Sequence, residues 1–146
     1  MSAMPTQNYE NHAMRVPGFL FILVLTLATF LGSCVNLYKS WDDHQRLYSA
    51  SLILALSIST MGAAVFARTF ALKVQDRAIR AEENMRHFVL TGKLLDPRLT
   101  VKQIVAVRFA SDAEFLDLAK KAADTGMAPD DIKKAVKNWR ADFDRA

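Results

Sequence analysis

The residue types that could do chemistry in this chain are few and far apart. Cys34 is the only cysteine, so neither an internal disulfide nor a cysteine-rich metal centre is available. The three histidines, His12, His44 and His87, fall in three regions separated by long apolar stretches, which keeps them from sharing one site. Asp42, Asp43 and His44 stand together and carry the donor types of a weak divalent-cation site, but a solvated turn accounts for the same residues. There is no glycine-rich phosphate loop and no nucleophile beside a base in a recognisable spacing. Asn36 and the hydroxyls of the apolar stretches are not ionisable, whereas ion and proton relays place acidic, basic or histidine groups at membrane depth. Lys120, Lys121, Lys133, Lys134, Lys137 and Arg140 form a basic set that would attract nucleic acid. Asp117, Asp124, Asp130 and Asp131 are interspersed among them, so a solvated face is expected and nucleic acid is not an expected partner. These residues read as non-enzymatic, with no cofactor and no metal, and they leave any small-molecule substrate open.

The elements that carry them are set by hydrophobicity. The chain has 146 residues, 51% of them hydrophobic, and most of that material lies in the first half. Residues 16–38 form a run of 23 without a formal charge, and residues 47–67 a second run of 21. At about 1.5 Å per residue, each is long enough for the roughly 30 Å hydrocarbon layer of a bilayer. Thirteen of the first 23 residues are Leu, Ile, Val or Phe, a clear preference for lipid. The second run has eight such residues and also Ser49, Ser51, Ser57, Ser59 and Thr60, so it is nearer to balance and needs a neighbour. A connection over 39–46 is too short for anything but an antiparallel hairpin. Ser51, Ala55, Ser59, Ala63 and Ala67 recur every fourth residue, and Ala28 and Gly32 in the first span repeat that spacing. Small side chains permit close backbone approach, so these seven are the expected packing face in the membrane, or else a dimer face.

Orientation follows from Lys and Arg near the span ends. Arg68, Lys73, Arg77, Arg80 and Arg86 follow the second span, against Lys39 and Arg46 in the loop, which places the C-terminal side in the cytoplasm. Two spans bring the N-terminal segment, 1–15, to the same side, where Arg15 agrees. Trp41, Tyr38 and Tyr48 cluster at the loop end, as amphipathic rings do at an interface. Leu31-Gly32-Ser33-Cys34 bears some likeness to a lipoprotein signal ending in a modified cysteine. Glu10 in the charged start, the apolar run continuing past Cys34 and the second span argue against that, and the tail stays cytoplasmic under either reading.

No Gly or Pro lies between Gly62 and Gly92, so the second span is expected to continue into the cytoplasm over 68–91. Arg68 marks its exit, since arginine at the bilayer centre costs about 2.5–3.5 kcal/mol. Phe70, Val74, Ala78, Met85 and Phe88, with Ala81, recur at spacings of three and four, an apolar docking stripe of coiled-coil type. Asp76 with Arg80, and Glu82 with Arg86, have the four-residue spacing of helix-surface ion pairs. After Gly92 and Pro97, residues 92–146 read as a small helical module. Thr100 with Gln103 is a capping box for a helix over 101–109, and Ser111 with Glu114 another for 112–125, stopped by Gly126. Pro129 opens a last helix in which Ile132, Ala135, Val136, Trp139 and Phe143 share a face. With Phe115 and Leu118 on the helix before it, these residues form the expected tail core. A module of about 50 residues is marginal alone and needs a further surface.

The run RLYSASLILALSISTMGAAVFARTFALKVQDRAIRAEENMRHFVLTGKLLDPRLTVKQIVAVRFASDAEF, with the opening QNYENHAMRVP and the closing IKKAVKNWRADFDR, resembles a family of uncharacterised two-span bacterial membrane proteins classed as a domain of unknown function. The resemblance implies an inner-membrane location and two spans, and brings no activity, ligand or catalytic residue. The sequence thus leads to an all-α chain, a membrane hairpin with a helical tail. It is expected to act as a scaffold or accessory subunit that presents helices to a protein partner or to a second copy of itself. The alternative is a membrane-surface module that holds anionic lipid, nucleic acid or the ribosome through Arg68, Lys73, Arg77 and Arg80.

Overall fold

The computed structural model describes residues 7–12 and 16–142, and among these it is all-helical, with five α-helices and no extended strand. The described residues divide into two compact units, one from residues 16–71 and one from residues 7–12 together with 72–142.

In the first unit α1 runs Pro17–Lys39, with Pro17 in its first turn, where the missing N–H costs no helical hydrogen bond. Ser40 closes it through its N–H to the Asn36 and Leu37 carbonyls. Only residues 40–43 connect it to α2, His44–Thr91, a tighter turn than the 39–46 loop expected. The reason is local: the Asp43 carboxylate accepts the N–H groups of Gln45 (3.1 Å) and Arg46 (3.2 Å) and so starts the helix early. Asp43 is therefore occupied as a cap. Between α1 and α2 the buried polar pair is Ser33 and Ser57, whose hydroxyls lie 3.3 Å apart, and Ala50 is fully enclosed. Ala28, Gly32, Ser51, Ala55, Ser59, Ala63 and Ala67 are all exposed. Ser33 and Ser57 are small residues too, each with its hydroxyl already returned to a carbonyl of its own helix, Phe30 and Leu54, so burying them leaves no donor unpaired.

α2 is uninterrupted over 48 residues, as the lack of Gly and Pro predicts, and ends where Gly92 takes a left-handed φ of 72°. In the second unit three short helices follow: α3 Val101–Val107, α4 Asp112–Thr125 and α5 Pro129–Ala135. The Thr100 capping box forms in full, with Thr100 Oγ1 accepting from the Gln103 N–H and Gln103 Oε1 accepting from the Thr100 N–H (2.8 Å). The Ser111 box does not. Glu114 turns its carboxylate to the backbone N–H groups of Lys137 (3.2 Å) and Asn138 (2.7 Å), and Ser111 makes no side-chain cap.

That diversion also ends α5 earlier than expected. Val136 is extended, and the chain returns so that the Arg140 N–H reaches the Phe109 carbonyl (2.7 Å) and the Ser111 N–H the Asn138 carbonyl (3.0 Å), a single antiparallel bridge between Ala110 and Trp139. α3 likewise stops before Phe109. The core gathers Leu95, Leu99, Ile104, Val107, Phe109, Phe115, Leu118, Ile132 and Val136, with Trp139 packed against it from outside any helix. Of the expected tail core, Phe115, Leu118, Ile132 and Val136 are buried, and Phe143, like Arg15, lies outside the described residues.

Candidate functional site

The second unit is held together at three places, and each uses polar residues that a hydrophobic pattern does not reveal. The first is on α2. Ile79 and Glu83 are buried and Arg86 nearly so, a strip at helical spacing whose centre is polar. The Arg86 guanidinium donates to Glu83 Oε2 (3.0 Å), Asp112 Oδ1 (2.7 Å) and the Ala110 carbonyl (2.8 Å), and lies 4.2 Å from the centre of the Phe115 ring. Arg140 approaches the other Glu83 oxygen at 3.4 Å. Burial pushes the Glu83 carboxyl above its ordinary range, opposed by the hydrogen bond and charge of Arg86. The expected surface pairs are not made. Arg86 takes Glu83, three residues away, in place of Glu82, and Asp76 and Arg80 are not within ion-pair distance. Glu83 is inside, and a buried carboxylate is held far more strongly than an exposed one.

The second is the N-terminal segment. Asn8 Oδ1 accepts the N–H groups of Glu10 and Asn11, folding the segment into a turn. The turn presents Tyr9 to Asp130 (2.8 Å), and Gln7 donates to and accepts from the backbone of Asp142. The His12 ring sits 5.7 Å from that of Phe109 and 5.8 Å from that of Trp139. Its Nδ1 is 2.6 Å from the Tyr9 carbonyl and its Nε2 is 3.2 Å from Lys133 Nζ. Asp130 is held below the usual carboxylate range, first by the Tyr9 hydrogen bond.

The third is a cleft of about 540 Å³ between the end of α2, the 92–99 linker and α4. His87, Lys93, Asp96, Arg98, Asp117, Lys120 and Asp124 contribute its polar groups. Arg98 bridges Asp96 (2.7 Å) and Asp124 (2.8 Å), and the Arg98 hydrogen bonds hold Asp96 down to about 2. Thr91 and His87 are the one hydroxyl and imidazole in contact there, at 3.1 Å. The Lys93 carbonyl lies 2.7 Å from the same Nδ1, and because a carbonyl only accepts, Nδ1 carries the proton and is not a base for the Thr91 hydroxyl. Among the described residues no three His, Cys, Asp or Glu side chains are grouped to hold a metal ion.

Residues 4–146 match one protein family along almost their whole length. The chain belongs to DUF6526, a family of unknown function. No curated protein and no solved structure matches it. The family therefore adds no ligand or reaction to the geometry.

The residues singled out from sequence are placed as follows. Phe70, Val74, Ala78, Met85 and Phe88 are all exposed. Lys73, Arg77 and Arg80 are exposed along one side of α2, whereas Arg68 is about half a turn round the helix from Arg77, its guanidinium 5.6 Å from the centre of the Phe19 ring. Cys34 is exposed. Sequence reasoning missed Arg86, Glu83, Phe109 and the 7–12 segment as organising residues. The Arg86 interactions reach 24 and 26 residues along the chain and those of Tyr9 reach 121, and no local pattern encodes such a pairing.

Proposed function

We propose that this chain is a non-enzymatic scaffold of the cytoplasmic membrane, anchored by α1 and the first part of α2 as a two-span hairpin, with both ends in the cytoplasm and the helical unit offered to a protein partner. One observation carries the reading. Both helices are long and apolar enough to cross a bilayer, and only 6% and 11% of their most hydrophobic windows are buried. The core helix of a soluble protein would show the opposite, with its apolar face enclosed. Phe21, Val24, Leu31, Leu52, Leu56 and Phe66 instead point outward, an area far larger than water tolerates on a monomer. A hydrocarbon phase removes that cost.

The N-terminal segment supports the topology. Gln7, Tyr9 and His12 bind residues 109–142, so those two stretches must lie on the same side of any bilayer, and the number of crossings between them must be even. Two is the number of candidate spans. The excess of Lys and Arg after the second span selects the cytoplasm.

The test is fractionation of the full chain, combined with a reporter fused after Ala146. Retention in the membrane pellet through carbonate, a reporter active only in the cytoplasm, and a crosslinked species in native membranes are the expected results. Release by carbonate or an externally active reporter overturns the anchor and its orientation.

A further inference from the structure

We infer that the exposed stripe of α2 is the interface for a second copy of this chain, the two helices pairing in parallel over residues 74–88. The inference rests on the anchored reading above and names its partner. Val74, Ala78, Ala81, Met85 and Phe88 are spaced four, three, four and three apart, the repeat that keeps one seam facing a partner helix. All five are exposed, Val74, Met85 and Phe88 by half or more of their surface. At about 100° per residue the seam lies on the side of α2 opposite Ile79 and Glu83, so the rest of this unit does not compete for it.

Charge identifies the occupant. With Ala78 and Met85 as the a positions and Val74, Ala81 and Phe88 as d, Arg77 falls at g and Glu82 at e, one on each flank of the seam. In a parallel pair, each g residue meets the residue five further on in the partner helix. Arg77 of one copy therefore meets Glu82 of the other, and symmetry makes the contact twice. Both are exposed, and neither has an ion-pair partner among the described residues. The next g position, Asn84, is already taken by the Leu95 N–H (3.2 Å), so Arg77 and Glu82 are the pair that selects. Two copies inserted in one orientation can meet only in parallel. Confinement to the bilayer raises their local concentration, which a seam of two heptads with alanine at two of its positions requires.

The experiment uses the full chain in nanodiscs, with Cys34→Ser as background. Oxidation should give a disulfide-linked dimer for Val74→Cys and for Ala81→Cys, both on the seam, and none for Arg80→Cys, off it. Arg77→Glu and Glu82→Arg should each weaken the dimer about tenfold or more, and the double reversal should restore it. The rescue separates pairing from misfolding. A monomeric mass, equal crosslinking at all three positions, crosslinking only to another protein, or failure of the double reversal overturns the interface. Carbonate extraction of the same protein keeps the two readings apart. A monomer in the pellet refutes the interface alone, and a seam-linked dimer in the supernatant refutes the anchor alone.

Discussion

Replacing Arg86 by Ala tests the interaction that binds α2 to the residues following α3. Its side chain is 11% exposed and that of Glu83 is 5%, whereas Asp112 is 70% exposed. The Asp112 arm is therefore worth about 0.2–1 kcal/mol, as surface pairs are. The Glu83 arm is different. Removing one member of a buried pair costs about 3–5 kcal/mol, because the remaining charge stays desolvated. Arg140 remains 3.4 Å from the other Glu83 oxygen, which puts the loss at the low end, about 3 kcal/mol. The Phe115 contact is part of that sum, since contacts of one residue do not add independently. Trp139 packs on Phe109 at 4.9 Å, so with Trp41→Phe its fluorescence reports unfolding of this unit alone in denaturant titrations of the micellar full chain.

The pH dependence makes the argument sharper. Glu83 already titrates above its ordinary 4.5, and losing Arg86 raises it further. The folded state then keeps a proton that the unfolded state has released. The cost is fully present above the folded value and fades as pH falls towards 4.5, so the deficit of Arg86→Ala should be smaller near pH 4.5 than at alkaline pH. Adding Glu83→Gln should recover part of the loss at pH 8 by removing the stranded charge. A deficit below about 1 kcal/mol, or one that does not change with pH, refutes the account.

Two further outcomes follow from single residues. Gly126 closes α4 with φ at 63° and has nothing within 4 Å of an added Cβ, so Gly126→Ala should cost about 1 kcal/mol from backbone conformation alone, and no loss in the same titration would contradict this. Asp96 is held down to about 2 from 3.8 by Arg98, so its contribution is present above 3.8 and disappears as pH falls through about 2. Asp96→Asn should flatten the fall in stability between pH 4 and pH 2, and parallel curves for the two proteins would exclude that role.

What was legible in the sequence was what short-range physics controls. The unbroken α2, its stop at Gly92, the Thr100 and Gln103 box, the Gly126 stop and the Pro129 start each depend on residues within a few positions of one another. Phe115, Leu118, Ile132 and Val136 were legible because helical periodicity marks a buried face. The Ser111 box failed because Glu114 had a better use. Two N–H groups more than 20 residues away needed an acceptor, and satisfying them drew Trp139 out of the expected helix.

The same division runs through the whole protein. Composition and spacing determined by themselves that there are two long apolar helices, a charged helical tail and an exposed stripe on α2, because hydrophobicity and helix propensity act locally. Tertiary structure decided that Ser33 and Ser57 meet, that a polar strip around Glu83 and Arg86 is the buried side of α2, and that residues 7–12 close onto residues 109–142. Those choices depend on which groups compete for the same partner once the chain is folded, and burial makes the winner's charge or hydrogen bond too costly to leave unmade.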